Sequence, residues 1–278
     1  MLSFFYKKKK LKMNLYQKLR WIVLSGITET VGEIPVNRLK KTEQPVVSVT
    51  GSTSSVPAQA KQNFSTTTQM PVQDSILKQA VTQAAMAQDI PSLHRILSEF
   101  NASPLKKTAA NTVFCVGNPT ADIMIIGDVP EASDDLTGKP FTGEVGALLT
   151  RMMAAIDLDL NTHCYASVLI PWRTPGGRKP TTAETAHCLP FLKRHIELVQ
   201  PKFLVLFGAL TTGALLGIDS IPRARGVWHT YQSENLSAPI PCLATFAPAY
   251  LLKNPIHRKH VWEDLKRLQT KISESNNA

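Results

Sequence analysis

Beyond residue 109, short apolar runs of strand length alternate with longer segments whose apolar residues recur at helical spacing. The strand-like runs span residues 122–126, 164–170, 203–207 and 241–246, and the helix-like segments span residues 145–155, 183–199, 211–216 and 257–273. Strands that alternate with helices form mainly parallel sheets that helices cover on both faces. The order therefore predicts an α/β domain in three layers, with a short, mainly parallel central sheet of about four strands flanked by helices.

The first strand leads into a loop with a distinctive composition. Its apolar run ends at Gly127 and is followed by Asp128, Val129, Pro130 and Glu131. An acidic pair, the turn sequence GKPFTG and an apolar helix start complete the stretch up to residue 149. Ligands of open α/β sheets bind in loops at the carboxyl ends of strands. We therefore expect the chemistry of this protein in this loop.

The segments before the α/β pattern differ from it in composition. Residues 1–38 are expected to form a basic start and a helix whose apolar face comprises Leu15, Leu19, Ile22 and Val23. Residues 39–72 are rich in Ser, Thr, Gln and Pro, which predicts a disordered linker. Residues 73–97 predict a helical lead-in, with Pro91 opening a second helix, before a domain that spans residues 98–275.

The charge of the chain bears on its partners. Lys and Arg outnumber Asp and Glu by 31 to 21, which gives a formal net charge of +10. A basic excess favours a polyanionic partner, either nucleic acid or an anionic membrane, and the alternative is that basic tails serve solubility. No apolar run approaches the length of a membrane span. The N-terminal helix is interpreted as a docking helix for a protein partner, with a membrane-surface anchor as the alternative.

The four cysteines offer no metal framework by their spacing. They are far apart and form no C-x-x-C pair: Cys115, Cys164, Cys188 and Cys242. This usage favours a reduced, cytoplasmic protein.

The strand, acidic loop, Gly-x-Pro-Phe-x-Gly turn and Gly-x-Leu-Leu helix start of residues 122–149 resemble the first signature of the uracil-DNA glycosylase superfamily. They are most similar to its iron–sulfur, family-four type in an alphaproteobacterial form. Further ordered matches are PWRTPGGRKP at 171–180, the segment 201–208, Arg-Gly-x-Trp at 225–228 and APAYLL at 247–252. The resemblance implies the fold of that family, DNA as partner, a monomer, and hydrolysis of the N-glycosidic bond of uracil or a related deaminated base in base-excision repair.

The resemblance also implies a base pocket, because a glycosylase extrudes its target nucleotide and holds the base in a cavity. The pocket positions are Gly127, Asp128, Val129, Pro130, Phe141, Val168 and Ala247. Asp128 stands where the family has a Glu and is the candidate for positioning water, and Phe141 stands at the position that stacks on uracil. Val168 and Ala247 stand where the family has its uracil-reading Asn and its catalytic His. The simpler alternatives are a solvated acidic loop with helix-capping duty for Asp128, Asp134 and Asp135, and core packing for Phe141.

Two segments match DNA-contacting parts of the family. One is a basic loop that contains Arg173, Arg178 and Lys179, which a solvated face would also explain. The other resembles the segment that wedges into the DNA minor groove and contains Pro248, Tyr250 and Leu251.

The positions of the family's cluster ligands fall at Phe100, Ser103, Trp172 and Cys188. A four-iron cluster requires four ligands, and one thiolate cannot hold it. We therefore predict that the iron–sulfur cluster is lost, and we expect no other metal or cofactor.

Two further functions remain open at this point. The substitutions at Asp128, Glu131, Val168 and Ala247 are those expected of a DNA-binding relative without glycosylase activity. The N-terminal helix and basic tail are compatible with a protein-interaction module.

Overall fold

The computed structural model describes residues 70–276, so the predictions for residues 1–38 and for all but the end of 39–72 lie outside the described residues. Its helices are α1 (Met70–Met86), α2 (Ile90–Glu99), α3 (Ala132–Thr137), α4 (Gly143–Ala154), α5 (Thr182–Val199), α6 (Ala209–Leu216), α7 (Ile221–Ala224), α8 (Pro248–Lys253) and α9 (Arg258–Asn276). Its strands are β1 (Cys115–Gly117), β2 (Ile123–Gly127), β3 (Cys164–Val168), β4 (Phe203–Phe207), β5 (Trp228–Tyr231) and β6 (Ile240–Thr245). Single 3-10 turns occur at Pro104–Lys107, Pro175–Gly177 and Pro255–His257.

The strands form one sheet in the order β1-β3-β2-β4-β6-β5. The four central strands are parallel, and β1 and β5 pair antiparallel at the two edges. The predicted α/β fold with a mainly parallel sheet is confirmed, and the four predicted strands are its four central ones. The two edge strands were not predicted, because they are only three and four residues long and mostly half-exposed, without a continuous apolar run.

Burial explains why the central strands are apolar throughout. Every residue of β2, β3 and β4 is buried, as expected for strands with helices on both faces. On one side α1 and α2 pack against α5, and α9 contacts β6. Pro91 lies in the first turn of α2, where the side chain of Asp89 accepts a hydrogen bond from the Ser92 N–H at 2.7 Å.

The carboxyl ends of the parallel strands meet at one edge of the sheet, and main-chain hydrogen bonds join the loops that leave it. The N–H of Leu169 donates to the Gly127 carbonyl at 2.8 Å. The N–H of Gly208 donates to the Thr245 carbonyl at 3.1 Å. The segments after β2, β3, β4 and β6 therefore form a contiguous rim.

Among residues 70–276, no helix is long and apolar enough to cross a membrane.

Candidate active site at the carboxyl edge of the sheet

The ring of Phe141 lies against Gly127. A Cβ built on Gly127 would lie 2.8 Å from Cζ of Phe141 and 3.5 Å from Cγ1 of Val168. The backbone of Phe141 has a φ of 56°, a left-handed conformation that is uncommon for a bulky residue. A Cβ on Gly146 would lie 1.8 Å from the carbonyl oxygen of Phe141, so this path of the chain requires glycine there. The two glycines allow a half-buried aromatic ring to stand beside the end of β2.

Asp128 follows directly on the strand, and its carboxylate points towards α6. Oδ1 accepts hydrogen bonds from the N–H and the hydroxyl of Thr211, each at 2.8 Å, and Oδ2 lies 3.4 Å from the N–H of Leu210. Burial raises the pKa of Asp128, and the hydrogen bonds from Thr211 and Leu210 oppose that rise. Oδ2 receives only the long hydrogen bond, so it retains capacity to accept another.

The position of Asp128 makes it a cap of α6. Gly208 precedes that helix with a φ of 119°, and a Cβ there would lie 2.1 Å from Oδ2 of Asp128. The carboxylate occupies the space that a side chain at position 208 would need and satisfies N–H groups of the first turn of α6. The capping role is therefore present, and it uses Oδ1 at 2.8 Å and Oδ2 only at 3.4 Å. Gly208 and Thr211 were not predicted as site residues, although a glycine and two threonines after an apolar strand are a usable signal.

The acidic pair of the loop serves to hold the loop together. Asp134 accepts hydrogen bonds from the N–H of Glu131 at 2.9 Å and from the N–H and hydroxyl of Thr142 at 2.7 and 2.6 Å. Asp135 accepts from the N–H of Ala110 at 2.9 Å. Both carboxylates are buried. The pair therefore serves in helix capping and in anchoring the loop, and helix capping was one of the alternatives left open for it.

The remaining pocket positions lie around Phe141 and Asp128. Val168 is buried at the end of β3, beside Gly127, and Pro130 is buried while Val129 is half-buried. Ala247 lies two residues past β6 and precedes α8 as its N-cap residue. The structure thus brings Gly127, Phe141 and Val168 into contact. It places Ala247 farther along the rim, beyond the loop that starts at Gly208.

An aromatic cluster next to Ala247 was not predicted. The ring of Phe246 stacks on Tyr250 with centroids 5.2 Å apart and lies 4.9 Å from the ring of His257. The Tyr250 and His257 rings are 5.5 Å apart. No role was predicted for His257, because nothing in the spacing of the sequence connects it with Phe246.

The predicted DNA-contacting residues differ in how accessible they are. Arg173 is half-buried, and Arg178 and Lys179 are exposed. Arg178 also donates to both oxygens of Glu184 at 2.6 and 2.9 Å. The hydrogen bonds from Arg178 lower the pKa of Glu184 to about 2. Arg178 therefore already forms an ion pair within the protein, with Glu184.

The predicted wedge requires a correction. Pro248 and Leu251 are buried, and Leu251 is only 1% exposed because this face of α8 packs on the core. Of the three residues expected to contact DNA in this segment, only Tyr250 presents its side chain to solvent, at 40% exposure.

Of the four positions that correspond to cluster ligands, three belong to the apolar core and the fourth, Ser103, is a buried polar residue. Phe100, Ser103, Trp172 and Cys188 are all buried, and the rings of Phe100 and Trp172 stack with centroids 6.4 Å apart. The indole N–H of Trp172 donates to the Thr112 hydroxyl at 3.1 Å. Burial raises the pKa of the Cys188 thiol, which disfavours the thiolate that a metal needs. These residues do not fit an iron–sulfur cluster, and residues 70–276 contain no group of three or more His, Cys, Asp or Glu placed to hold a metal.

Comparisons with known proteins bear on the family of this chain. Residues 114–266 match the family model described as uracil DNA glycosylase superfamily. The type-4 uracil-DNA glycosylase of Saccharolobus solfataricus is 33% identical over 174 residues, which cover 61% of this chain and 80% of that protein. Proteins of the same name from Archaeoglobus fulgidus and Thermotoga maritima are 31% identical over 169 residues and 32% identical over 177 residues. These matches cover 59% and 62% of this chain, and 83% and 88% of the relatives. The chain therefore belongs to the uracil DNA glycosylase superfamily.

Proposed function

We propose that this protein is a DNA glycosylase that removes uracil, or a related deaminated base, from DNA in base-excision repair. The family and the relatives named type-4 uracil-DNA glycosylase support this proposal. The observation that carries it is the ring of Phe141, which lies against Gly127, the residue that precedes Asp128. A flat ring at the end of a strand that continues into a half-buried carboxylate residue suits a base that has been extruded from the stack.

In the proposed reaction the base stacks on Phe141 and its bond to the sugar breaks. The bonding electrons leave with the uracil, water adds to the sugar carbon, and the proton that the water loses ends on the uracil anion, so that neutral uracil and an abasic sugar are formed. Oδ2 of Asp128 is the acceptor proposed to orient that water, because Oδ1 is already engaged by Thr211. Ala247 has no side-chain donor for the leaving base, so stabilisation of its charge falls to main-chain N–H groups.

Val168 has consequences for base selection. An apolar side chain beside Gly127 offers no hydrogen bond to the edge of a base. A pocket without such donors and acceptors discriminates weakly between bases of similar shape. We therefore propose that the protein accepts related deaminated bases as well as uracil.

We further propose that the protein works without an iron–sulfur cluster. The support is the core formed by Phe100, Ser103, Trp172 and Cys188. Purified protein should contain iron and acid-labile sulfide well below one equivalent per chain, and Cys188→Ala should leave its absorption spectrum unchanged. A stoichiometric iron content would overturn this part of the proposal.

DNA is the proposed partner, with Arg173 and Lys179 near its phosphates. The logarithm of the DNA-binding constant should therefore fall linearly with the logarithm of the salt concentration. Two predictions remain: that the protein is a monomer, and that its N-terminal segment binds a protein partner. Sedimentation of the full chain would test whether it is a monomer.

The test of the activity is a product assay. End-labelled oligonucleotides with one uracil, single- and double-stranded, are incubated with the purified chain, treated with alkali and resolved on a gel. Strand cleavage at the uracil that disappears in Asp128→Asn supports the proposal, provided that the variant keeps the circular dichroism spectrum of the parent.

A second candidate function is DNA binding without catalysis. It is favoured by the use of Asp128 as a helix cap and by the missing donor at Ala247. No cleavage at enzyme excess, together with salt-dependent binding of the same oligonucleotides, would select this function over the first.

A further inference from the structure

A groove with a volume of about 1110 Å³ lies between α1 and α5. This volume is above the range of about 300–1,000 Å³ that is usual for small-molecule sites. Apolar side chains from both helices line the groove: Leu77, Val81, Ala84, Ala85, Ala186, Leu189 and Pro190. Val81 is 52% exposed, so residues 70–276 leave part of this apolar surface open to solvent. Such a surface suits a segment of polypeptide better than a small ligand.

The two long walls of the groove are apolar stripes on helix faces. On α1, Val81 follows Leu77 by four positions, and Ala84 follows Val81 by three. On α5, Pro190 follows Ala186 by four positions. Residues at these spacings lie on one face of a helix. Because α1 and α5 pack against each other, a third helix can lie in the groove between them and bury an apolar stripe of its own.

A further wall of the groove, formed by residues 232–235 after β5, is fixed by hydrogen bonds. The buried carboxylate of Glu197 on α5 accepts from the Ser233 hydroxyl and, at 3.1 Å, from the Asn235 side-chain amide. Arg194 forms an ion pair with the same carboxylate at 3.2 Å. The wall is therefore held in place by contacts within the domain, so the groove is formed before an occupant enters it.

The sequence of the same chain contains a segment that matches the groove. Its apolar residues, at positions 15, 19, 22 and 23, have the helical spacing of the stripes on α1 and α5. The segment also carries Lys18 and Arg20. Among the residues that line the groove, Lys193 and Glu234 are the exposed charged ones. These two charges balance, so the groove does not repel a basic segment, and apolar contact is the main attraction.

The length of chain between the segment and the groove permits docking within one molecule. Residues 24–69, a stretch of 46 residues, connect the segment to α1. For the disordered linker predicted from the sequence, this length gives a root-mean-square end-to-end distance of about 35–40 Å. Leu77 lies only about 10 Å along α1 from Met70, at 1.5 Å per residue. The connection would therefore hold the segment near the groove at an effective concentration on the order of millimolar.

We infer that residues 15–23 dock as an amphipathic helix into the groove between α1 and α5 of their own chain. Docking covers the exposed face of Val81 and buries the apolar stripe of the segment. The partner of the segment is then a surface of the same chain and not the separate protein predicted from the sequence, because one apolar face cannot serve both. The groove shares no residue with the candidate active site, so this inference is independent of the proposed glycosylase activity.

Disulfide trapping in the full chain tests the contact. Leu19→Cys is combined with Val81→Cys, the protein is oxidised at micromolar concentration, and the products are resolved on a non-reducing gel and identified by peptide mass. The matched control combines Leu19→Cys with Met86→Cys. Met86 is on α1 and is 68% exposed, but it does not line the groove. The crosslink within one chain should form about tenfold faster with position 81 than with position 86, since the tether is the same.

Protection from trypsin gives a second readout. Val81→Asp places a charge on the apolar wall, and its exposure lets the domain keep its fold, which circular dichroism checks. Cleavage after Lys18 and Arg20 should be about tenfold faster in Val81→Asp than in the parent chain, because cleavage follows the population of the undocked segment. Met86→Asp is the control and should be cleaved like the parent chain.

The inference requires both results. A crosslinked dimer would assign the groove to the segment of a second copy, and equal crosslinking at positions 81 and 86 would show that the segment does not rest in the groove. Either result overturns the inference, as does equal cleavage of the parent chain and Val81→Asp. Uracil excision is assayed separately on the same parent chain, so absence of excision would refute only the proposed function and absence of docking only this inference.

Discussion

Thr211 donates two hydrogen bonds to one oxygen of Asp128, from its N–H and from its hydroxyl, each at 2.8 Å. The same hydroxyl lies 2.9 Å from the carbonyl oxygen of Gly127. Thr211, at the start of α6, therefore contacts both Gly127, the last residue of β2, and Asp128, the first residue of the loop. Its hydrogen bonds lower the pKa of Asp128 against the rise that burial causes.

Thr211→Val tests this relationship. The variant keeps the shape and the N–H but removes the hydroxyl, so the pKa of Asp128 should rise. Activity that needs the ionised carboxylate is lost as pH falls through this pKa, so the acid limb of kcat/KM should move to higher pH. The free energy of unfolding should fall by about 1 kcal/mol.

Thr212→Val is the control for that experiment. Thr212 is equally buried, but its hydroxyl donates to the Gly208 carbonyl and not to Asp128. The two variants should lose similar stability, and only Thr211→Val should shift the pH profile. Identical profiles would show that the Thr211 hydroxyl does not act through Asp128.

Gly127→Ala should reduce activity by displacing Phe141. Gly127 has no positive φ, so alanine brings no backbone strain, but its Cβ would lie 2.8 Å from Cζ of the ring. We expect kcat/KM for uracil excision to fall about tenfold or more. In a Phe141→Leu background the same substitution should cost less, since contacting residues show non-additive effects. Equal losses in both backgrounds would contradict a role through the ring.

Ala247→His should increase excision if main-chain groups alone now stabilise the leaving base. A single donor at the site of developing negative charge is worth about 3 kcal/mol, or two to three decades in rate. Ala247→Phe supplies comparable bulk without a donor and should give no increase. Absence of a gain in Ala247→His, with folding intact, would mean that the rim no longer places residue 247 near the base.

His195 should make the stability of the protein depend on pH. The Ser167 hydroxyl donates to the Phe114 carbonyl at 2.7 Å, so the His195 Nδ1–H points at Ser167, and Nε2 accepts from the Tyr165 hydroxyl at 2.7 Å. This neutral tautomer is buried, and burial lowers the pKa of His195 to about 3 from an ordinary value of 6.5. The folded state therefore binds fewer protons than the unfolded chain between these values.

The sign of the effect follows from that difference. The stabilising contribution is complete above about pH 6.5 and declines as pH falls towards 3, by at most about 1.4 kcal/mol per pH unit. Urea unfolding between pH 7 and 5 should show a steeper loss for the parent chain than for His195→Gln, whose amide can replace both hydrogen bonds. Parallel pH dependences would contradict a neutral His195 in the folded protein.

The sequence by itself determined the architecture and the loop in which the candidate site is proposed. The apolar runs of β2, β3, β4 and β6 are continuous because these strands are covered on both faces, so their pattern is visible without coordinates. The glycine, proline and aromatic residues after β2 likewise show a loop at the carboxyl end of a strand. The physical reason is that complete burial of a strand, and the geometry of a tight turn, each restrict the residue types that can stand at those positions.

The tertiary structure decided what the individual side chains do. Asp128 and Thr211 are 83 residues apart, and only the parallel pairing of β2 with β4 brings them together. Leu251 and Ile256 are both apolar and five positions apart, yet packing buries the first and leaves the second exposed. Contacts of this kind depend on how distant elements are placed, and no local pattern of residues carries that information.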